Sequence, residues 1–235
     1  MFDKLVTDKQ VILDKIFYTI KDNSSLLLTY FNQHCFNIYF KNNNYKNLID
    51  DSFFVYSEGI GMFIFLWLIL KRKVKRIDAT FLYDLMEEIS KRAENVFIIG
   101  GKFSEEELKR NLRGKGINLT GYHNGYFMEK EKDSILKKIT LEKTRIIFVG
   151  MGVPKQEFFA YELSKSSNDK VIICVGNFQE FYFGRIKRAP LIFQKLGIEW
   201  LFRLISEPGR LWRRYLIGIP EFLYRVIKIK LRGLV

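Results

Sequence analysis

The sequence predicts an α/β fold: an open, mostly parallel, Rossmann-like sheet with helices on both faces. Three observations carry that prediction. Short apolar runs recur through the first 175 positions. Polar stretches with helical spacing separate them. Most runs stop at a glycine or a polar residue, at Asn32, Glu58, Gly100, Gly150 and Gly176. Strands alternating with helices build parallel sheets. Ligands of such sheets bind outside the carboxyl ends of the strands.

Taken in order, residues 1–25 read as a short strand and a helix without a motif. Residues 26–31 (LLLTYF) read as a strand closed by Asn32, and 53–56 as a second. Glu58-Gly59-Ile60-Gly61 then leads into an apolar helix to about Leu70, and 71–75 form a basic turn. Residues 81–93 have amphipathic helical spacing. A strand over 96–99 runs into Gly100-Gly101. Ser104 is the predicted cap of a helix over 105–112, with Glu107 at the capping-box position. A strand over 117–121 and a helix over 131–140 follow. Residues 146–149 form the next strand, turning through Gly150 and Gly152 into a helix over 154–164. Pro154 suits its first position, where the missing N–H has no intrahelical partner. Residues 171–175 are the last strand. Beyond Gly184 only helices are expected, at about 191–205, 208–216 and 220–231. The chain thus divides into a core, 1–190, and a basic helical appendage, 191–235.

At 235 residues and 48% hydrophobic content, the chain can bury a large core. Cys35 and Cys174 lack CxxC spacing, which implies neither a disulfide framework nor a zinc site. His34 and His123 are isolated and read as surface or capping residues, so no metal is expected. No basic-then-apolar leader is present at the N-terminus. The longest uncharged apolar run, 59–70, is too short for a bilayer, which takes about 20 residues. A reducing, cytoplasmic location is expected. The net charge is +13, and the last 52 residues carry +9 of it. Such asymmetry implies an anionic partner: nucleic acid, a membrane surface or a phosphorylated substrate. No recognised nucleic-acid motif appears.

Several residues can carry chemistry. The Gly150 turn opens a helix whose free N–H groups and dipole favour a phosphate, although an ordinary strand-to-helix turn has the same form. Lys155, Gln156 and Glu157 bring a cation, an amide and a carboxylate to that turn. Glu58, at a strand end, reads either as a general base or as an acid favoured by a helix N-terminus. Gly100-Gly101 forms half of a phosphate turn, but no complete GxGxxG exists, against a nicotinamide or flavin enzyme. Phe178, Phe181 and Tyr182 read as core or as a sugar or base platform. Arg210, Arg213 and Arg214 fall on one helical face among Trp212, Tyr215, Phe222 and Tyr224, the composition of an interfacial membrane helix.

Four segments together resemble the WecG/TagA/CpsF glycosyltransferases. They are 150–157 (GMGVPKQE), 175–176 with 184–190 (GRIKRAP), 196–204 (LGIEWLFRL) and 207–215 (EPGRLWRRY). The likeness is strongest over about 95–225. It implies an inverting, metal-independent transferase. The donor would be a UDP-sugar of N-acetylmannosamine type. The acceptor would be undecaprenyl-diphosphate-linked N-acetylglucosamine, in the building of cell-surface polymers such as capsule or teichoic acid. It would act peripherally, on the inner face of the membrane. Glu58-Gly59 stands where the family has Asp-Gly, which implies Glu58 as the base. Asn32 matches a family asparagine, with Tyr30 in a threonine slot. Arg76 matches a family arginine, but Ala79-Thr80-Phe81 replaces Gly-x-Asp, so its acid is missing. The expected substrate contacts are Asn32, Arg76, Gly100, Gly150, Gly152, Lys155, Gln156, Glu157, Gly176, Arg210, Arg213 and Arg214. A Rossmann-type nucleotide-binding protein and a basic nucleic-acid-binding module are the alternatives. Whether the chain forms a homo-oligomer is left open.

Overall fold

The computed structural model describes residues 2–232. Six strands pair in one sheet in the order β2-β1-β6-β5-β3-β4: β1 (Leu26–Phe31), β2 (Phe54–Ser57), β3 (Asn95–Gly100), β4 (Asn118–His123), β5 (Ile146–Gly150) and β6 (Val171–Cys174). Every pairing is parallel. The apolar runs are near-continuous because both faces of the sheet are covered. Leu28, Ile98, Phe148 and Ile173 point into one core cluster. Their neighbours Leu27, Ile99, Val149 and Ile172 point into the other.

The larger cluster is covered by α1 (Lys9–Lys21), α2 (Gln33–Lys41), α4 (Gly59–Ile64), α5 (Thr80–Lys91) and α6 (Glu105–Arg113), the smaller by α7 (Lys132–Leu141) and α8 (Lys155–Lys165). Helix α3 (Asn43–Ser52) joins α2 to β2. The register decides what meets at the carboxyl ends. Phe31 pairs with Ser57, so Asn32 and Glu58 leave the sheet side by side. Gly100 pairs with Gly150.

The structure departs from the sequence reading in several places. Residues 33–52 carry two helices beyond those expected from the sequence; Asn32 caps α2 and Asn42 caps α3. The N-terminal segment makes a bridge from Val6 to Tyr56 rather than a strand. Pro154 is the cap residue of α8, not its first helical residue. At α6, Ser104 Oγ accepts from the Glu107 N–H, but its hydroxyl donates to Glu106. A short helix, α9 (Phe178–Tyr182), follows β6. The helix expected over 191–205 is two, α10 (Leu191–Lys195) and α11 (Glu199–Ser206), broken at Gly197 with φ +74°. The two later helices are one: α12 (Pro208–Trp212), a π-helical turn (Arg213–Ile217) and α13 (Gly218–Arg232) run on without a gap.

Helix α13 packs across α2. The Phe222 ring meets Phe36 edge-on at 4.9 Å. Asn37 Nδ2 donates to the Gly218 carbonyl at 2.7 Å, and Lys41 pairs with Glu221 at 2.7 Å. Phe222, Val226 and Ile229 belong to the large core cluster. Each such burial stabilises the fold by about 1.5–3 kcal/mol.

Candidate active site

Three glycines form a floor across the central strand ends. A Cβ at Gly100 would lie 2.3 Å from the Gly150 carbonyl oxygen, and one at Gly150 would lie 2.6 Å from that of Gly176. At Gly176 it would meet the Tyr30 hydroxyl at 2.5 Å. Only hydrogen at these Cα positions lets the three turns stack. Above the floor lies a cavity of about 460 Å³. Six of the expected substrate contacts line it: Gly150, Gly152, Lys155, Gly176, Arg210 and Arg214. A larger hollow of about 770 Å³ sits at the amino end of β4 among Lys109, Arg110 and Arg113. It lies away from the strand carboxyl ends, where this fold binds ligands.

Glu58 stands at the end of the edge strand β2, half-buried. Its N–H donates to the Phe31 carbonyl at 3.0 Å, and its side chain caps no helix. Asn32 Nδ2 donates to Glu58 Oε2 at 3.4 Å. The same Asn32 side chain caps α2, its Oδ1 accepting from the His34 and Cys35 N–H groups at 3.0 and 3.2 Å. Burial pushes the Glu58 carboxyl up from 4.5 to about 7. The Asn32 hydrogen bond and the charges of Arg214 and Arg203 oppose the shift, while Glu199 adds to it. A carboxyl held near neutrality is suited to taking a proton and passing it on.

The cavity wall is basic on the side of the last helices. Arg210 is held by Glu207, with Nε and Nη2 at 2.7 and 2.6 Å from Oε2. Arg214 Nε is buried without a hydrogen-bond partner among the described residues. Lys155 stands 3.4 Å from the Gly125 carbonyl and over the Phe127 ring. His34 also lines the cavity, against the expectation of a surface or capping role. Burial lowers its pKa to about 4, with Arg214 and Lys41 adding to the shift, so it is neutral at pH 7.

Six expected contacts do not line the cavity, nor does Glu58; the first of the six is Asn32, whose side chain is shared between the cap of α2 and Glu58. Gly100 sits beneath Gly150 and does not line the cavity. Gln156 and Glu157 are fully buried under the floor. Gln156 Oε1 accepts from the Gly176 N–H at 3.1 Å, and its Nε2 donates to Glu157 Oε1 at 2.8 Å. Glu157 also accepts from Thr29 at 2.9 Å, and burial raises its carboxyl to about 7. These two side chains hold the turn that the ligand would touch. Arg213 points away, exposed beside Trp212. Arg76 donates to the Gln194 and Lys195 carbonyls at the end of α10. Phe81 stands in the slot of the family acid, and a different acid, Asp78, stands 3.8 Å from both Arg76 and Arg188. Arg76 lines a separate hollow of about 110 Å³ with Gly59, Asp78, Glu199 and Trp200.

Other lining residues escape the sequence reading. Asn124, Gly125 and Tyr126 follow β4, whose end lies two residues later than predicted. Asn177 and Glu180 come from α9 and its cap. Of the tail aromatics, Tyr215 and Phe222 are core residues, whereas Trp212 and Tyr224 are exposed.

A parallel sheet with a glycine-floored, arginine-walled cleft at its strand ends defines a Rossmann-like α/β protein, the cleft lying where ligands of such sheets bind. The family model for glycosyl transferases of the WecG/TagA/CpsF family matches residues 2–234. The chain belongs to that family.

Proposed function

We propose that the protein moves an N-acetylmannosamine-type or related sugar from a UDP-sugar to a polyprenyl-diphosphate-linked acceptor. The acceptor sugar would be N-acetylglucosamine or one like it, in cell-surface polysaccharide synthesis. One observation carries this reading: Glu58, raised to about 7, stands at the strand ends within the field of Arg214, which lines the cavity. The donor diphosphate lies over Gly150, Gly152 and Gly176, at the N-terminus of α8. The acceptor hydroxyl comes to Glu58. Its oxygen attacks the anomeric carbon while the carboxylate takes its proton. The bond from that carbon to the diphosphate breaks on the opposite face, which inverts the centre and releases UDP.

Charge gathers on the departing diphosphate. Lys155, Arg210 and Arg214 face the cavity, and among the described residues the buried Arg214 Nε has no acceptor. Charge-assisted hydrogen bonds of this kind are about twice as strong as neutral ones. These cations take the part a metal ion plays in other transferases. The basic end of the chain holds the enzyme on the inner, anionic face of the membrane, where such an acceptor lies. No helix among the described residues is long and apolar enough to cross a membrane.

A panel of UDP-sugars offered with a lipid-diphosphate N-acetylglucosamine analogue tests the reading. A disaccharide-lipid product with one donor is expected. Hydrolysis of no donor and extension of no acceptor across the panel would refute it.

A further inference from the structure

Helix α4 begins at Glu58 and ends in an apolar surface. Gly59–Ile64 continues into a π-helical turn, Phe65–Ile69. Met62, Phe65 and Leu66 are buried, but Ile64, Trp67 and Leu68 are 43%, 54% and 52% exposed. Trp67 stacks on Phe63 at 6.2 Å. Large apolar side chains grouped on a surface mark an interaction site.

The surroundings of this patch are cationic. From Gly59 to Ile77 there is no acidic residue, while Lys71, Arg72, Lys73, Lys75 and Arg76 follow the patch. Arg72 is held by the Phe2 and Leu5 carbonyls, and Lys75 pairs with Asp8. Lys71 and Lys73 are exposed. The patch also adjoins α13, since Phe65 and Phe222 both pack on Phe36, at 5.3 and 4.9 Å. On α13, Glu221 and Arg225 turn to α2, where they meet Lys41 and Phe40. Helical spacing therefore puts Leu223, Ile227 and Leu231 on the flank away from α2. They are 51%, 57% and 81% exposed. Lys228 and Lys230 border them, and no acid follows Glu221 in the chain. Exposed apolar side chains between lysines fit an anionic lipid surface.

We propose that the end of α4, with Ile64, Trp67 and Leu68, is a wedge that enters the anionic bilayer beside α13 and so fixes the height of Glu58 above the headgroups. The proposal rests on the reading that the basic C-terminal helices bind the membrane, and adds a second, internal contact. One helix joins wedge to base, on the order of 15 Å long at about 1.5 Å per residue. A base tied rigidly to the bilayer surface meets an acceptor sugar that its own lipid holds at a fixed height.

Trp67, Trp200 and Trp212 are the three tryptophans, so W200F with W212F leaves Trp67 as the sole reporter. The probe is vesicles of phosphatidylglycerol and phosphatidylcholine, with and without brominated acyl chains. Trp67 emission should shift to the blue on binding and be quenched by the brominated lipid. A triple I64S/W67S/L68S variant of the wild-type chain should partition about tenfold more weakly or worse, since three apolar side chains no longer leave water. The positions are exposed, so folding should survive, and a circular dichroism melt checks this. Vesicle binding with unmoved Trp67 emission, and with the triple variant binding like wild type, overturns the wedge but leaves the tail reading standing. A blue shift that follows protein concentration without lipid assigns the patch to a second copy and also overturns it. Failure of the wild type to sediment with anionic vesicles overturns both.

Discussion

Replacing Glu58 by glutamine removes the proposed base while keeping its shape. General-base catalysis is worth about 10²–10⁴-fold, so turnover should fall by that factor while UDP binding stays nearly unchanged. The pH profile sharpens the test. Burial raises the Glu58 carboxyl from 4.5 to about 7. A base works only when ionised, so the rate should rise with pH and level off above about 7. With that pKa, roughly a tenth of the enzyme is competent at pH 6 and nine tenths at pH 8, about a tenfold rise in kcat/KM. A carboxylate near 4.5 would give a flat profile over the same range. Two variants should move the limb. Asn32→Asp keeps an oxygen to cap α2 but replaces the Nδ2 donor beside Glu58 with a second negative charge. Arg214→Gln removes an opposing positive charge. Both should push the limb to higher pH. Initial rates of labelled-sugar transfer between pH 5.5 and 9 decide it. A flat wild-type profile from pH 6 to 8, or full activity in Glu58→Gln, defeats the assignment.

Three further outcomes concern stability. The Glu157 carboxyl also sits near 7 instead of 4.5, fully buried. With its pKa raised, the stability this group contributes is full below about 4.5 and is lost as pH climbs through about 7, by at most ~3 kcal/mol. Glu157→Gln should therefore gain stability over wild type at pH 8 and match it near pH 4.5 in urea titrations; an equal difference at both pH values contradicts this. Gly100→Ala brings a methyl to 2.3 Å from the Gly150 carbonyl at φ +123°, so unfolding should need less denaturant by at least ~2 kcal/mol. An unchanged urea midpoint would count against the stacked floor. Phe222→Ala opens a cavity against Phe36 and should cost about 3–5 kcal/mol. A variant as stable as wild type would show α13 to be loosely attached.

Much of the sheet is legible in the sequence because apolar runs long enough to be buried on both faces have few other uses. Helices α2 and α3 are harder. Residues 41–47 read KNNNYKN, which looks like a loop, yet Asn32 and Asn42 are strong N-caps and their side chains cap two helices. Glu58 is legible as a strand-end carboxylate. Gln156 and Glu157 are misread because the first turn of a helix is assumed to face the ligand. Here Thr29 on β1 and the Gly176 N–H draw both side chains inward. Arg213 is misread for a similar reason. Spacing groups it with Arg210 and Arg214, but only the i, i+4 pair turns to the cavity.

The sheet order explains why Glu58 and the cavity are neighbours. Strand β1 lies between β2, which carries Glu58, and β6, which ends at the Gly176 turn. From β3 the chain steps outward to β4, and from β5 it steps back to β6 beside β1, so the winding reverses between the neighbours β5 and β3. Ligands of open α/β sheets bind in the crevice at such a switch point. Gly150 at the end of β5 and Gly101 beyond β3 line the cavity there, and Gly176 beyond β6 and Tyr30 of β1 carry its lining on toward β2. Asn32, next in the chain, has one amide with two tasks. Its oxygen starts α2, which sets His34 in the cavity wall, and its nitrogen holds Glu58. A substitution at Asn32 would therefore disturb the cavity wall and the proposed base together, whereas one at Glu58 would touch the proposed base alone.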